Sequence, residues 1–338
     1  MLLKLSFFHR LRPLPDPLLQ GEGTFLKYFF ILTKLIISRI HLNFISIISQ
    51  SIMDKQNVYK PSYLIELCKK YNLSPSKKYG QNYLMTKIYI DKMLEAGEIN
   101  KDDLVVEVGP GFGVLTFALA EKAGKIVSFE IEQKLREYWE ENALENLEII
   151  WGDVVKQFSV SKFSAPGGPA LGWKKYKVVA NLPYQITSAI LRMFLELENK
   201  PESMVIMVQK EVAQRITAKK GDMSVLAISV QYYGQPKVVA KVTKGNFWPS
   251  PKVDSAVLLI NNIKSPNNDF SDERFFEVVK AGFAQKRKQL RRNLSQGLKL
   301  DAEKVKEILV EVCGNEKIRA EELGVEEWIE IVCKVKGL

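Results

Sequence analysis

Three glycines at alternate positions follow a short apolar run in this 338-residue chain, and this pattern constrains the fold more than any other. The run covers Leu104 to Val108, and the glycines are Gly109, Gly111 and Gly113. A helical pattern begins directly after them, so the segment predicts a buried parallel strand, a glycine turn and a helix. Backbone N–H groups and a helix N-terminus then surround a ligand, which the glycines allow close to the main chain. The pattern predicts a cradle for a nucleotide-like cofactor.

Two acidic residues follow the next apolar runs. Glu130 ends the run Ile126 to Phe129, and Asp153 comes shortly after the run that ends at Trp151. A carboxylate at position 130 suits the two ribose hydroxyls of a cofactor, and one at position 153 suits the amino group of a cofactor adenine. The alternative is a pair of solvated acids at strand ends. Because Val114 stands where a dinucleotide fingerprint has its third glycine, the spacing disfavours NAD.

The tetrapeptide Asn181-Leu182-Pro183-Tyr184 stands directly behind a further apolar run. The exocyclic amine of adenine is a weak nucleophile because its lone pair is delocalised into the ring. The side-chain oxygen of Asn181 and the main-chain oxygen of Leu182 can accept its two hydrogens, while Tyr184 stacks on the base. Pro183 favours an extended Leu182, which directs that carbonyl. The motif predicts an adenine-amine site, although Asn and Pro are also common where an ordinary strand leaves a sheet.

The histidines and cysteines limit the kinds of catalytic and metal sites that this chain is expected to contain. The chain has two histidines, His9 and His41, both in an N-terminal segment that we expect to lie outside the fold. A Ser-His-Asp hydrolase, a histidine general base and a histidine-ligated metal are therefore disfavoured. The three cysteines, Cys68, Cys313 and Cys333, lack paired metal-ligand spacing. We expect no metal, reduced thiols and a cytoplasmic protein.

The order of the patterns predicts an α/β fold in two domains. From 53 to 262, short apolar strands alternate with helical stretches, which is typical of a doubly wound, mostly parallel sheet that binds ligands at the carboxyl ends of its strands. Residues 263–338 form a predicted small all-α domain, with helices expected over 272–298, 302–312 and 325–335. The segment 164–175 is predicted to be a surface loop.

Residues 1–52 combine a proline-rich opening with apolar stretches that Lys27, Lys34 and Arg39 interrupt. This composition is a poor match to a membrane-spanning helix or a signal peptide. We expect the functional protein to begin at Met53, with residues 1–52 either a disordered extension or translated upstream sequence. No stable membrane association is expected, and an amphipathic membrane anchor in this segment is the alternative that stays open.

A basic cluster lies within the first of the predicted C-terminal helices. Its members are Lys286, Arg287, Lys288, Arg291 and Arg292. Apolar residues at helical spacing would pack one side of this helix, so the basic side chains would face outward and contact phosphates. The net charge of +10 agrees with a polyanionic partner without identifying it. The alternative is a merely solvated charged helix.

Taken together, the motifs resemble the rRNA adenine N6-dimethyltransferases, the KsgA and Erm group, which use S-adenosyl-L-methionine. The similarity extends from about residue 58 to the C-terminus. It includes three further segments, Gly80 to Leu84, Phe247 to Ser255 and Phe283 to Leu290. Tyr83 stands where this family usually has Phe. The motif Asn-Leu-Pro-Tyr resembles the KsgA branch, whereas Erm enzymes more typically carry Asn-Ile-Pro-Tyr.

The resemblance implies a Rossmann-like class I SAM-dependent methyltransferase fold and assigns roles to individual residues. The residues that it implies around the cofactor are Gln81, Asn82, Leu84, Gly109, Gly111, Glu130, Asp153 and Asn181. Catalysis would involve Asn181, Leu182, Pro183 and Tyr184, with Phe247 enclosing a flipped adenine against Tyr184.

The implied reaction is N6,N6-dimethylation of two adjacent adenosines in the 3′-terminal hairpin of small-subunit (16S) rRNA. The implied substrate is an immature 30S particle, modified by a monomer during small-subunit biogenesis. Three alternatives stay open: an Erm-type enzyme acting on large-subunit rRNA, a DNA adenine methyltransferase, and a non-catalytic assembly or transcription factor that binds nucleic acid. DNA enzymes usually have a second proline in place of Leu182.

Overall fold

The computed structural model describes residues 57–75, 81–159, 175–266 and 269–335, without the side chains of residues 158 and 159. Residues from Val58 onward cluster as one unit. The expectations for residues 1–52, for a start at Met53 and for a loop at 164–174 fall outside the described residues. Among the described residues, no helix is both long and apolar enough to cross a membrane.

A seven-stranded sheet lies at the centre of the structure. Its strands are β2 (Leu104–Val108), β3 (Lys125–Glu130), β4 (Leu147–Trp151), β5 (Lys177–Asn181), β6 (Ser203–Gln209), β7 (Gln235–Val242) and β9 (Ser255–Asn261). The order across the sheet is β4-β3-β2-β5-β6-β9-β7. The first five strands are parallel, and β9 is antiparallel to both β6 and β7. A separate ribbon pairs β1 (Tyr83–Leu84) with β8 (Phe247–Trp248).

Helices cover the sheet and form the C-terminal region. Those before and between the strands are α1 (Pro61–Lys70), α2 (Lys87–Ala96), α3 (Thr116–Lys122), α4 (Arg136–Glu141), α5 (Val154–Ser159), α6 (Thr187–Glu196), α7 (Lys210–Ile216) and α8 (Val225–Tyr233). The C-terminal helices are α9 (Asp272–Gly282), α10 (Leu290–Leu298), α11 (Ala302–Cys313) and α12 (Val325–Val335). The predicted α/β fold with a helical C-terminal region is confirmed.

Alternate residues of the central strands enter two hydrophobic cores. Val105 of β2 and Val179 of β5 belong to one core, and their neighbours Val106 and Val178 belong to the other. Both faces of a parallel sheet are therefore covered, as its nearly uninterrupted apolar strands require. The second core continues into the C-terminal helices, for example through Phe275. The domain boundary at residue 263 stays a prediction, because residues of the sheet and residues of the C-terminal helices belong to the same hydrophobic core.

The helix predicted over 272–298 is in fact two helices, and that prediction was wrong. Close packing ends α9 at Gly282, where an added Cβ would lie 2.3 Å from the ring of Trp328. The amide nitrogen of Asn293 then donates to the carbonyls of Gly282, at 2.6 Å, and Gln285, at 3.1 Å. These carbonyls are thus bonded by a side chain instead of continuing the helical ladder. Residues 283–289 form a turn segment between α9 and α10.

Candidate active site

A cavity opens at the carboxyl ends of β2, β3, β4 and β5, where a doubly wound sheet binds ligands. All the residues that were predicted around a cofactor line it, namely Gln81, Asn82, Leu84, Gly109, Gly111, Glu130, Asp153 and Asn181. Leu182, Pro183 and Tyr184 line the same cavity. The fold therefore brings separate sequence motifs to one place, while the roles predicted for them remain predictions.

The turn after β2 needs glycine at all three predicted positions. The backbone φ angle is +75° at Gly109, +54° at Gly111 and +81° at Gly113, in the left-handed region that other residues avoid. A Cβ added to Gly109 would meet no atom within 4 Å, so open space lies beside its main chain. A Cβ on Gly113 would lie 2.6 Å from the Phe117 ring. The helix consequently begins at Thr116, two residues later than the pattern indicated.

Hydrogen bonds from other elements hold this glycine turn. The Trp139 indole N–H donates to the Gly111 carbonyl at 3.0 Å, and the Tyr138 hydroxyl donates to the Phe112 carbonyl at 2.9 Å. Both aromatic side chains belong to α4. The turn is therefore fixed before a ligand arrives, which reduces the entropy lost on binding. No local sequence pattern indicates a role for either aromatic residue.

Glu107 is a buried carboxyl group directly beneath the turn. Only 1% of the residue is exposed, and it accepts hydrogen bonds from the hydroxyls of Thr116 (2.9 and 3.1 Å) and Ser128 (2.6 Å). Burial raises the pKa of Glu107 to about 7, although both hydroxyl bonds act to lower it. The three residues belong to β2, α3 and β3, so Glu107 joins the elements on both sides of the glycines.

Glu130 ends β3 and faces the cavity while 4% exposed. One carboxylate oxygen accepts the N–H of Gly111 at 3.1 Å, and the other accepts the N–H of Glu132 at 2.8 Å. Burial raises the pKa of Glu130, and these backbone hydrogen bonds oppose that rise. Because each carboxylate oxygen has further lone-pair capacity, the group can still accept ribose hydroxyls.

Asp153 stands at the start of α5, next to the end of β4. Its Oδ1 accepts the N–H of Val155 at 2.9 Å, which orients the carboxylate at the cavity wall. The preceding Gly152 has φ +139° and donates its N–H to the Glu130 carbonyl at 2.7 Å. A main-chain hydrogen bond therefore joins the strand ends that carry Glu130 and Asp153.

Asn181 is the last residue of β5, and its amide is oriented by the chain itself. Its Nδ2 donates to the Asn82 carbonyl at 3.1 Å, so Oδ1 is the end available to accept from a ligand. The β1–β8 ribbon, where Leu84 pairs with Phe247, supports the Asn82 segment. The N–H of the next residue, Leu182, donates to the Met207 carbonyl at 3.2 Å, which anchors the motif to β6.

The Tyr184 ring is held at its hydroxyl end. Its hydroxyl lies 2.7 Å from the Ser255 hydroxyl, and Ser255 is completely buried at the start of β9. Burial raises the pKa of Tyr184, and the hydrogen bond to Ser255 opposes that rise. The two residues are 71 positions apart in sequence, which explains why no local pattern indicated the contact.

The structure places Phe247 differently from the stacking arrangement implied by the resemblance. The residue is 2% exposed, belongs to the hydrophobic core that contains Val105, and is not among the residues lining the cavity. It is therefore not brought face to face with Tyr184. Stacking of Phe247 on a base stays a prediction that requires its ring to leave this core.

The predicted basic residues surround the turn between α9 and α10. Lys286, Arg287 and Lys288 lie in the segment before α10, and Arg291 and Arg292 lie in its first turn. Lys286 is 3.8 Å from the Glu321 carboxylate, and Arg291 is 3.8 and 3.7 Å from those of Glu303 and Glu316. Within the described ranges, the other three form no ion pair. The cluster is a basic surface presented by a turn, not by a continuous helix.

Comparison with known proteins agrees with this geometry. The chain is 39% identical over 275 residues to ribosomal RNA small subunit methyltransferase A of Dehalococcoides mccartyi, covering 80% of this chain and 92% of that protein. It is 37% identical over 293 residues to the protein of the same name from Alkaliphilus metalliredigens, covering 84% and 99%.

Solved structures show the same fold. A dimethyladenosine transferase from Plasmodium falciparum superimposes with a TM-score of 0.61 at 22% identity, covering 75% of this chain and 97% of that one. The 23S rRNA methyltransferase ErmE superimposes with a TM-score of 0.60 at 26% identity, covering 75% and 99%. The family model for ribosomal RNA adenine dimethylase matches residues 72–334. The resemblance seen in the sequence is thus confirmed, and the chain belongs to the ribosomal RNA adenine dimethylase family.

Proposed function

We propose that this protein uses S-adenosyl-L-methionine to dimethylate the N6 amines of two adjacent adenosines in the 3′-terminal hairpin of small-subunit rRNA. The observation that carries the proposal is the meeting of Asn181, Tyr184, Glu130 and the glycine turn around one cavity. An adenine amine beside Asn181 would share this cavity with a methyl donor beside the turn. Relatives whose names specify the small ribosomal subunit support that choice of substrate.

The lining of the cavity fits the proposed cofactor. The open space beside Gly109 admits a ligand against the main chain, and Glu130 offers a buried carboxylate for ribose hydroxyls. Asp153 offers a carboxylate at the next strand end for an adenine amino group. When bound, the cofactor supplies an electrophilic methyl group on a sulfonium. Gln81 and Asn82 close the side of the cavity next to β1.

The motif after β5 prepares the acceptor nitrogen. Asn181 Oδ1 and the Leu182 carbonyl accept the two amine hydrogens, so the lone pair is directed out of the aromatic ring system. Pro183, with φ −56° and ψ 129°, shapes the turn that follows the Leu182 carbonyl. With the cofactor bound, this lone pair would bond to the methyl carbon while the methyl–sulfur bond breaks, so that S-adenosylhomocysteine leaves as a neutral thioether. The methylated amine would then release its extra proton to water, so no histidine is required. Orientation of this kind can contribute ~7–11 kcal/mol to lowering a barrier.

Tyr184 supplies the stacking face for the base in this proposal. A base that has left its helix loses stacking energy, and an aromatic side chain restores ~1–3 kcal/mol per base. Tyr184 lines the cavity in the present structure, whereas Phe247 lies in the core. We therefore assign the first stacking face to Tyr184. The second stacking face predicted for Phe247, which pairs with Leu84 across the β1–β8 ribbon, remains part of the proposal.

The basic surface between α9 and α10 is proposed to hold the phosphates of the rRNA. Exposed cations on a rigid turn suit a backbone contact that carries no base specificity. We propose an immature 30S particle as the substrate, a monomer as the acting form and the cytoplasm as the place of action, with a role in small-subunit biogenesis.

The test uses small and large ribosomal subunits isolated separately from cells that lack this modification. Each is incubated with the protein and radiolabelled cofactor, and primer extension locates the product because dimethylated adenine stops reverse transcriptase. We expect label in the small subunit alone, with stops at two adjacent adenosines of the 3′-terminal hairpin.

Label in the large subunit alone would contradict the proposal. It would favour an Erm-type activity, which the structural similarity to ErmE makes the second candidate. Absence of label in both subunits, with cofactor binding intact, would favour the non-catalytic alternative. The Asn181→Ala protein serves as the inactive control for both subunits.

A further inference from the structure

Ser255 is a buried polar residue that does not line the cavity itself but lies within hydrogen-bond distance of Tyr184, which does. It is the first residue of β9 and has no exposed surface. Its main chain pairs with Gln209 on one side and Val242 on the other. Its position is therefore set by the sheet and does not depend on a ligand.

The side chain of Ser255 reaches only one functional residue. Its hydroxyl lies 2.7 Å from that of Tyr184, which belongs to a short 3-10 turn outside the sheet. Tyr184 is about half-buried, so packing alone leaves one side of its ring facing the cavity. A hydrogen bond at the hydroxyl oxygen, the side-chain atom farthest from the backbone, restricts swinging of the ring about the Cα–Cβ bond.

The strand end that carries Ser255 is itself fixed. The carbonyl of the preceding residue, Asp254, accepts the N–H of Lys210 at 2.9 Å, and its carboxylate accepts the N–H of Lys244 at 3.1 Å. These bonds join the end of β6, the start of β9 and the segment before β8. The Ser255 hydroxyl is thus a rigid point from which a neighbouring side chain can be oriented.

We propose that Ser255 is a positioning residue that fixes where the Tyr184 ring lies against the target adenine. This inference rests on the function proposed above and adds a residue to its machinery. Stacking depends on parallel planes and a fixed offset. A ring that could tilt would still bind the base but would hold its amine less often in line with the methyl donor, and small misplacements cost rate.

Two single variants and their combination test the proposal. Ser255→Ala removes the anchor, and Tyr184→Phe removes the anchored hydroxyl while keeping the ring and leaving β9 untouched. Ser229→Ala is the matched control, since the Ser229 hydroxyl bonds to the Val225 carbonyl within α8. Each protein is assayed for single-turnover methyl transfer at saturating cofactor and RNA, and for its Kd for both.

We expect either single variant to react roughly tenfold more slowly, the effect of losing one hydrogen bond from the oriented state. The Kd values should change by less than about twofold, because the ring that provides the stacking surface is still present. The double variant should be no slower than either single variant, since both remove the same bond. The Ser229→Ala control should react at the wild-type rate.

A second readout separates positioning from general destabilisation. RNA with 2-aminopurine in place of the target adenine binds without reacting, because this base lacks the 6-amino group, and its fluorescence falls when it stacks on an aromatic ring. We expect brighter bound probe with Ser255→Ala than with wild type, at equal occupancy and unchanged thermal midpoint.

Wild-type rates in both single variants, or losses that multiply in the double variant, would overturn the role of Ser255. Those results would leave the proposed function intact as long as the wild-type protein methylates small-subunit rRNA. A wild-type protein without such activity would instead contradict the proposed function, so the two failures are distinguishable.

Discussion

The cavity and the basic surface between α9 and α10 are organised in opposite ways. In the cavity, Glu130 and Asn181 each have a hydrogen-bond partner from the protein's own main chain. On the basic surface, Lys286 and Arg291 lie 3.7 to 3.8 Å from carboxylates, and Arg287 and Arg292 are exposed. The functional side chains of the cavity are oriented by short, directional bonds, whereas Lys286 and Arg291 on the basic surface have only longer contacts between opposite charges.

This difference predicts two kinds of response to change. A directional hydrogen bond in a partly buried site requires one particular donor and one particular acceptor. A single substitution can therefore abolish the bond and strongly slow the chemical step that depends on it. Surface charges act over longer distances, are screened by salt and share their effect among neighbours. Substitutions in the cavity should therefore change rates strongly, whereas those on the basic surface should change affinity gradually.

The strongest test of this contrast is Asn181→Ala. The variant should lose roughly 10²–10³-fold in the rate of methyl transfer, the typical cost of removing one oriented polar contact to a reacting group. Its RNA affinity should change little, since the basic surface is intact. The matched control is Asn146→Ala, whose amide also donates to main-chain carbonyls but lies before β4, at the amino end of the strands. A near wild-type rate for Asn181→Ala would contradict the prediction that substitutions in the cavity change the reaction rate strongly.

Next in size is the effect of pH on the carboxyl group beneath the glycine turn. Burial raises the pKa of Glu107 from 4.5 to about 7, so the folded state binds this proton more tightly than the unfolded chain does. The contribution of Glu107 to stability should therefore be largest below pH 4.5 and fall as the pH rises towards 7, by on the order of 3 kcal/mol.

The Glu107→Gln variant should lack this contribution. Denaturant unfolding of both proteins between pH 5 and pH 8 provides the measurement, with the difference between the two free energies plotted against pH. Parallel curves for the two proteins would show that Glu107 does not titrate in this range and that its pKa is not raised.

A smaller effect is expected on the basic surface. Arg287→Ala combined with Arg292→Ala should weaken RNA binding about tenfold and make the dependence of log K on log salt shallower by roughly 1–2 units, as phosphate contacts are lost. Cofactor affinity should not change. Lys122→Ala is the control, because Lys122 is an exposed basic residue in the last turn of α3 and is not part of the basic surface.

The Arg291→Ala variant adds a comparison to the same RNA-binding experiment. Because this guanidinium already lies near Glu303 and Glu316, its removal should reduce RNA affinity less than removal of either unpaired arginine. An unchanged salt slope in the double variant would mean that this surface does not contact phosphates.

The smallest expected effect concerns Tyr83, where the family usually has Phe. Its hydroxyl is buried and has no hydrogen-bond partner among the described residues, while its ring stacks on Trp248 and packs beside Gly111. Tyr83→Phe should raise the free energy of unfolding by about 1 kcal/mol, because an unsatisfied buried hydroxyl is removed and the ring contacts stay. Destabilisation of the variant would instead show that the hydroxyl has a partner in solution.

Much of the fold followed from local patterns. The strand Leu104–Val108 has the predicted bounds, because a parallel strand that is buried on both faces has a nearly continuous apolar sequence. The edge strand β4 ends at Trp151, as predicted. The position of β9 between β6 and β7 was not predicted, since strand order depends on pairing between distant segments. The break after Gly282 was missed because the apolar spacing continues on both sides of it.

By itself, the sequence determined the chemistry of the cavity. Glycines with positive φ, strand-end carboxylates and Asn-Leu-Pro-Tyr have properties that belong to the residues and their immediate neighbours. Only the tertiary structure decided that Trp139 holds the turn, that Phe247 lies in the core and that Ser255 anchors Tyr184. Those arrangements arise from packing and hydrogen bonds between residues far apart in the chain, where no local pattern specifies the partner.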